Sequence, residues 1–165
     1  SGKSSLAAAL AGRGFTLLGD DVVVLDRRTM ALRPLPFGIC IKDPAPAALN
    51  ALYPELAELP LCSRPDGKNV RYLAPPAIQT AAAGEAVAAS HVVFPCFDPQ
   101  GETALHALSP DSALKPLVRS LTPLGADLTV EDIDRLVAWA GERRCFALPM
   151  ASLTEAANLL DSFEA

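Results

Sequence analysis

Ser1-Gly2-Lys3-Ser4-Ser5-Leu6-Ala7-Ala8-Ala9-Leu10-Ala11-Gly12-Arg13-Gly14-Phe15-Thr16-Leu17-Leu18-Gly19-Asp20-Asp21 is the stretch on which the reading of this chain turns. A phosphate loop is written Gly-x-x-x-x-Gly-Lys-Ser/Thr, and Gly2, Lys3 and Ser4 supply its last three positions. From Ser4 the sequence is short, apolar and Ala-rich, with Gly12 and Gly14 behind it, which predicts a helix with glycine stop signals. Such a helix aims its N-terminus, with free amides and the positive end of its dipole, at whatever Lys3 holds. Residues 15–18 read as a strand, and Asp20-Asp21 stands at its end, where open α/β sheets gather ligands. Two adjacent carboxylates need a cation or must share a proton. Lys3 would then reach the outer phosphates of a nucleotide, and the Ser4 hydroxyl would ligate Mg²⁺. One aspartate would hold the metal and the other would accept a proton from an attacking hydroxyl. Which does which stays open. The plain alternative is a solvated terminus followed by an Asp-Asp turn. The two motifs together, at this distance, favour chemistry.

The chain opens inside this motif without a methionine, which points to a fragment lacking the N-terminal strand and the start of the phosphate loop. Its 165 residues fit one domain, taken here as 1–165. Half the residues are apolar and only 5% are aromatic, so Ala, Leu and Val must build the core. A net charge of −5, without a Lys/Arg cluster, argues against a nucleic-acid groove. No stretch reaches the ~18 apolar residues of a membrane span, so the expectation is a cytoplasmic protein. Cys40, Cys62, Cys96 and Cys145 form no Cys-x-x-Cys pair and, with His91 and His106, no zinc spacing. They read as reduced and mostly buried thiols.

Further along, residues 22–25 form a β-branched run typical of a buried strand, with residues 30–35 as its hairpin partner near an edge marked by Pro34 and Pro36. Residues 38–42 read as a strand and 43–52 as a helix start and helix. Residues 54–68, with three prolines and Asp66-Gly67, read as a loop able to fold over the site. Strands are expected at 70–73, bounded by Pro75-Pro76, at 91–94, stopping at Pro95, and more weakly at 104–108. Ser109-Pro110-Asp111 starts a helix. Thr129 with Asp132 reads as a capping box for another, ended by Gly141. A strand at 145–148 and a helix from Ser152 complete an α/β layered fold around a mixed sheet.

The run from Ser1 to Asp21 resembles the HPr serine kinase/phosphorylase group: Gly-Lys-Ser, a helix, an Arg-Gly-aromatic turn, a short apolar strand, then Asp-Asp. The match is close over residues 1–26. The later segments Pro-Phe-Gly-Ile-Cys-Ile-Lys42, Gly67-Lys68-Asn69-Val70-Arg71-Tyr72-Leu73 and Val92-Val93-Phe94-Pro95 are similar to the HPr-kinase-related branch. Gly-Asp-Asp also occurs in ATP-dependent phosphoenolpyruvate carboxykinase, which shares the fold. The resemblance implies a P-loop, phosphoenolpyruvate carboxykinase-like mixed sheet flanked by helices. It further implies an ATP- and Mg²⁺-dependent kinase of a serine hydroxyl on a protein or peptide. Mapped onto this chain, Ser1, Gly2, Lys3, Ser4 and Ser5 bind the nucleotide, Ser4 and Asp20 the metal, and Lys3, Asp20 and Asp21 carry catalysis. Members of the group form rings, which makes a homo-oligomer an expectation. Ser5 stands where HPr kinases carry an acidic residue, and no copy of the segments tied to their reverse reaction is found, so kinase activity alone is expected.

Lys42 at a strand end and Arg71 beyond the 54–68 loop are further candidates for contact with the acceptor or the transferred group. Lys68 reads as solvated, Arg13 as a helix-end cation, the two histidines as strand-edge residues, and Asp132 and Asp134 as an exposed helix face. The alternative function is a non-catalytic ATP-binding switch or scaffold, in which ATP orders the 54–68 loop for a partner. A carboxykinase of small acids ranks behind both.

Overall fold

A computed structural model describes residues 2–35, 37–74, 79–82, 84–123 and 127–163. Helix α1 (Lys3–Ala11) comes first, followed by the hairpin strands β1 (Val24–Leu25) and β2 (Leu32–Arg33). Strand β3 (Ile39–Lys42), helix α2 (Ala47–Leu52), a 3₁₀ turn (Pro54–Glu58) and strands β4 (Cys62–Ser63) and β5 (Asn69–Leu73) make the next unit. Strands β6 (His91–Phe97) and β7 (His106–Leu108), helices α3 (Pro110–Ser120) and α4 (Val130–Gly141), strand β8 (Arg144–Met150) and helix α5 (Leu153–Asp161) follow.

The fold is mixed α/β, as the alternation of patterns predicts, but the described strands form three small sheets rather than one mixed sheet. In the first, β1 pairs antiparallel with β2. In the second, β5 lies between β3 and β4, antiparallel to both. In the third, β8 is central, parallel to β6 and antiparallel to β7. Only this last sheet is mixed.

One main core joins α1, β3, α2, β5, β8 and α5. Small side chains make the close helix contacts: Ala8 and Ala9 of α1 and Ala156 and Ala157 of α5 are buried, with Leu148 and Met150 of β8 among them. Ile39 and Ile41 of β3 and Leu73 of β5 are also fully buried there. A second cluster gathers Leu136, Trp139 and Ala140 of α4 beneath Leu25 and Met30 of the first hairpin. Arg27 clamps that hairpin to α4: its guanidinium pairs with Asp132, and Arg135 donates to the Arg27 carbonyl at 2.8 Å. The expected capping box is present, with the Thr129 hydroxyl and the Asp132 carboxylate each bonding the other's backbone N–H. Asp132 is thus a structural anchor rather than part of a solvated face.

Several local expectations give way. The run 22–25 is not a buried strand: Val22 is 54% exposed, and pairing begins only at Val24. Residues 15–18 contribute a single bridge, Leu17 to Thr80, instead of a strand. The 54–68 segment holds the 3₁₀ turn and β4. Strand β6 runs through Pro95 instead of stopping there. Asp98 N–H reaches Met150 O at 2.9 Å, and counting back in twos turns Pro95 to the side away from β8, where an edge strand needs no donor. Cys62 and Cys96 are exposed while Cys40 and Cys145 are buried, and all four are free thiols. Pro36 and Pro75-Pro76 lie outside the described residues. No described helix is long and apolar enough to cross a membrane.

Candidate functional site

The tip of α1 is the starting point. Gly2 precedes the helix at φ +113°, a backbone conformation open to glycine, and Leu6 N–H to Gly2 O at 3.0 Å closes the first turn. No side chain caps this end, so the first helical amides have no intrahelical acceptor and point outward. The approach at Gly2 is close: an added Cβ would stand 2.6 Å from the Met150 ε-methyl of β8. Lys3 is exposed, and Ser4 and Ser5 are half-buried. Ser1 lies outside the described residues.

The acidic doublet is brought to this tip by backbone. Leu17 is held between Gln79 and Ala81, its N–H donating at 2.8 Å and its carbonyl accepting at 3.0 Å. Leu18 O accepts from Leu35 N–H at 2.8 Å. The chain then bends at Gly19, where a Cβ would lie 2.5 Å from Val22 O, so no larger residue fits the bend. Asp20 emerges half-buried with its Oδ2 accepting the Cys40 N–H of β3 at 3.0 Å. Burial pushes its carboxyl above the usual range, and the neighbouring Asp21 charge adds to that. The Cys40 N–H, the Ser4 hydroxyl and the Lys3 ammonium pull the other way. Those influences put Lys3 and Ser4 close to Asp20. Asp21 is exposed.

Beside the tip is a cavity of about 340 Å³ whose wall includes Gly2, Ser4, Ser5, Cys40, Lys42 and Phe97. Lys42, at the exposed end of β3, therefore joins the site. Arg71 does not. Its Nε pairs with Asp43 Oδ1 at 3.0 Å and its guanidinium also donates to Leu59 O, which commits it to holding the 3₁₀ turn against the second sheet. Lys68 is paired with Asp66 at 2.7 Å. Arg13 ties α1 to α5 by pairing with Asp161, a more specific role than a helix-end cation.

Arg64 is the residue that sequence patterns did not single out. It sits before the turn that carries Gly67, with Nη1 3.7 Å from Cys40 Sγ and Nε 3.5 Å from Asp66. It is close enough to feel the charge of Asp21. The 54–68 segment was expected to fold over the site, and Arg64 is the part that reaches it. Neither histidine takes part: His91 stacks on Phe163 at 4.5 Å between ring centroids, and His106 is exposed.

The donors at the tip suit a phosphate chain with a hard divalent cation. A hydroxyl and one half-buried carboxylate stand side by side, and no group of three or more His, Cys, Asp or Glu that could cage a metal exists among the described residues. Mg²⁺ commonly takes one or two protein oxygens and completes its shell with phosphate and water. No family model matches the chain, and no curated protein or solved structure matches it either.

Proposed function

We propose that this chain is an ATP-dependent phosphotransferase that passes a phosphoryl group to a serine hydroxyl of a protein or peptide, with Mg²⁺. The observation that carries the reading is the meeting of the α1 tip with Asp20, where one carboxylate feels both the Ser4 hydroxyl and the Lys3 ammonium. A carboxylate raised by burial, beside a helix N-terminus and a lysine, is the kind of group that a bound cation and phosphates would complete. The resemblance of residues 1–26 to the HPr serine kinase/phosphorylase group points the same way.

On this reading the outward amides of α1 and Lys3 bind the phosphate tail along the cavity that Ser4, Ser5 and Lys42 line. Ser4 and Asp20 would hold Mg²⁺, which neutralises charge on the phosphate oxygens. Asp21, more exposed than Asp20, takes the acceptor's hydroxyl proton as that oxygen bonds to the γ-phosphorus and the bond to the β-phosphate oxygen breaks, releasing ADP. Arg64, with Nη1 3.7 Å from the Cys40 Sγ that lines the same cavity, stabilises charge on the group in transfer.

The test is ATP turnover by the full chain with a serine-peptide library, with and without Mg²⁺. Expected are Mg²⁺-dependent phosphopeptide formation and an Asp21→Asn variant slowed by roughly 10²–10⁴-fold that still binds ATP. Absence of any ATP-dependent thermal shift would sink the proposal.

A further inference from the structure

A second and larger cavity, of about 700 Å³, begins at Asp21 and runs along the first hairpin. Every residue from Asp21 to Arg28 borders it. Both residues of β1, Val24 and Leu25, are among them, and successive strand side chains point to opposite faces, so the cavity runs along the β1 edge and not over one face. That edge is open. β1 pairs only with β2, and among the described residues no strand lies on its other side. The opposite wall is apolar, with Leu121, Pro123, Leu128, Ile133 and Leu136 from the segments around α3 and α4. At the hairpin tip Arg28 makes no ion pair among the described residues.

We infer that this groove binds the acceptor as an extended peptide. The segment adds a strand to the β1 edge, sets apolar side chains against Leu121 and Leu128, points a carboxylate at Arg28, and presents its serine hydroxyl to Asp21. The size suits a few apolar side chains, and pairing with a free strand edge is an established way of holding an extended peptide. The groove begins at Asp21, next in sequence to the Asp20 that is bonded to β3 beside the α1 tip, and this places its end near the proposed phosphate site. This inference rests on the phosphotransferase reading for its chemistry, though not for binding.

The probe is a fluorescein-labelled Ser-Leu-Val-Leu-Val-Glu peptide, compared with the same peptide carrying Asn at its four apolar positions. Binding is read by anisotropy and transfer by mass spectrometry with ATP and Mg²⁺. Val22 is 54% and Leu128 36% exposed, so Val22→Glu and Leu128→Glu leave the core untouched. Each is expected to weaken binding of the apolar peptide about tenfold by setting an unpaired carboxylate in the groove, with the ATP-dependent thermal shift unchanged. Equal binding of both peptides, or no effect of either variant, overturns the groove even where serine peptides are phosphorylated. Groove-dependent binding without phosphate transfer upholds the groove and overturns the phosphotransferase reading.

Discussion

Asp20 Oδ2 and the backbone N–H of Cys40 lie 3.0 Å apart, and that bond fastens the acidic doublet to β3 next to the α1 tip. It joins two segments that share no strand pairing among the described residues, and it draws on a carboxylate whose charge burial disfavours.

That conflict has a pH signature. The folded state raises the Asp20 pKa above 3.8, mainly through burial, and so holds the proton more tightly than the unfolded chain. Stability from this group is full at pH below the ordinary carboxylate range and is lost as pH rises through the raised value. Without nucleotide, Asp20→Asn should raise the melting temperature at pH 7, and the gain should vanish towards pH 3.5. Mg²⁺ with ATP should stabilise the wild type more than the variant. Thermal scans from pH 3.5 to 8 read both effects, and a variant less stable at pH 7 would contradict the cause assigned here.

Gly2→Ala tests the helix tip. The methyl meets the Met150 ε-methyl at 2.6 Å, a flexible end that can shift, but φ +113° remains strained for any L side chain. A loss of about 1–3 kcal/mol in urea titrations is expected. ATP binding should weaken more than stability alone accounts for, because the first amides of α1 must turn.

Arg64→Ala should leave the melting temperature unchanged, since the side chain is 42% exposed and, among the described residues, bonded only to Cys40 and Asp66. Turnover should fall by roughly 10²-fold, the usual effect of losing one donor to the group in transfer. Arg64→Lys should recover part of it. Equal kcat for all three forms would assign Arg64 to the surface.

Leu148→Ala addresses the core. Leu148 is fully buried on the central strand of the third sheet and packs in the cluster that also holds α1 and α5. Losses at such positions run to about 2–5 kcal/mol, measurable as a lower urea midpoint. Because the same cluster supports the α1 tip, ATP affinity should fall with stability.

What was legible in the sequence follows from local chemistry. The α1 helix, the Thr129 capping box and the Ser109 cap each depend on residues within a few positions of one another and are found where the pattern puts them, while the hairpin is found with its strands shortened to 24–25 and 32–33. The approach of Asp20 to Ser4 was expected from motif spacing, though its agent, the Cys40 N–H, was not. Patterns failed where neighbours far along the chain decide. The apolar run at 22–25 looks buried by composition, yet it borders a groove. Pro95 looks like a stop, yet edge position makes it harmless. Arg64 lies inside the 54–68 segment and Arg71 just beyond it, and only their partners, Asp43 for Arg71 and Cys40 for Arg64, separate a structural clamp from a candidate site residue.

The pairing of Arg13 with Asp161 spans 148 positions of sequence. Helix α1 is thus seated on α5, with Ala8 and Ala9 packed among Ala156 and Ala157. Contacts at such separation form late, after the entropy of a long loop has been overcome. During synthesis α1 can cover part of its apolar face with β3 and α2, while the side that meets α5 stays open until α5 is made. On the phosphotransferase reading, the anion-binding tip would be firmly seated only once α5 has docked.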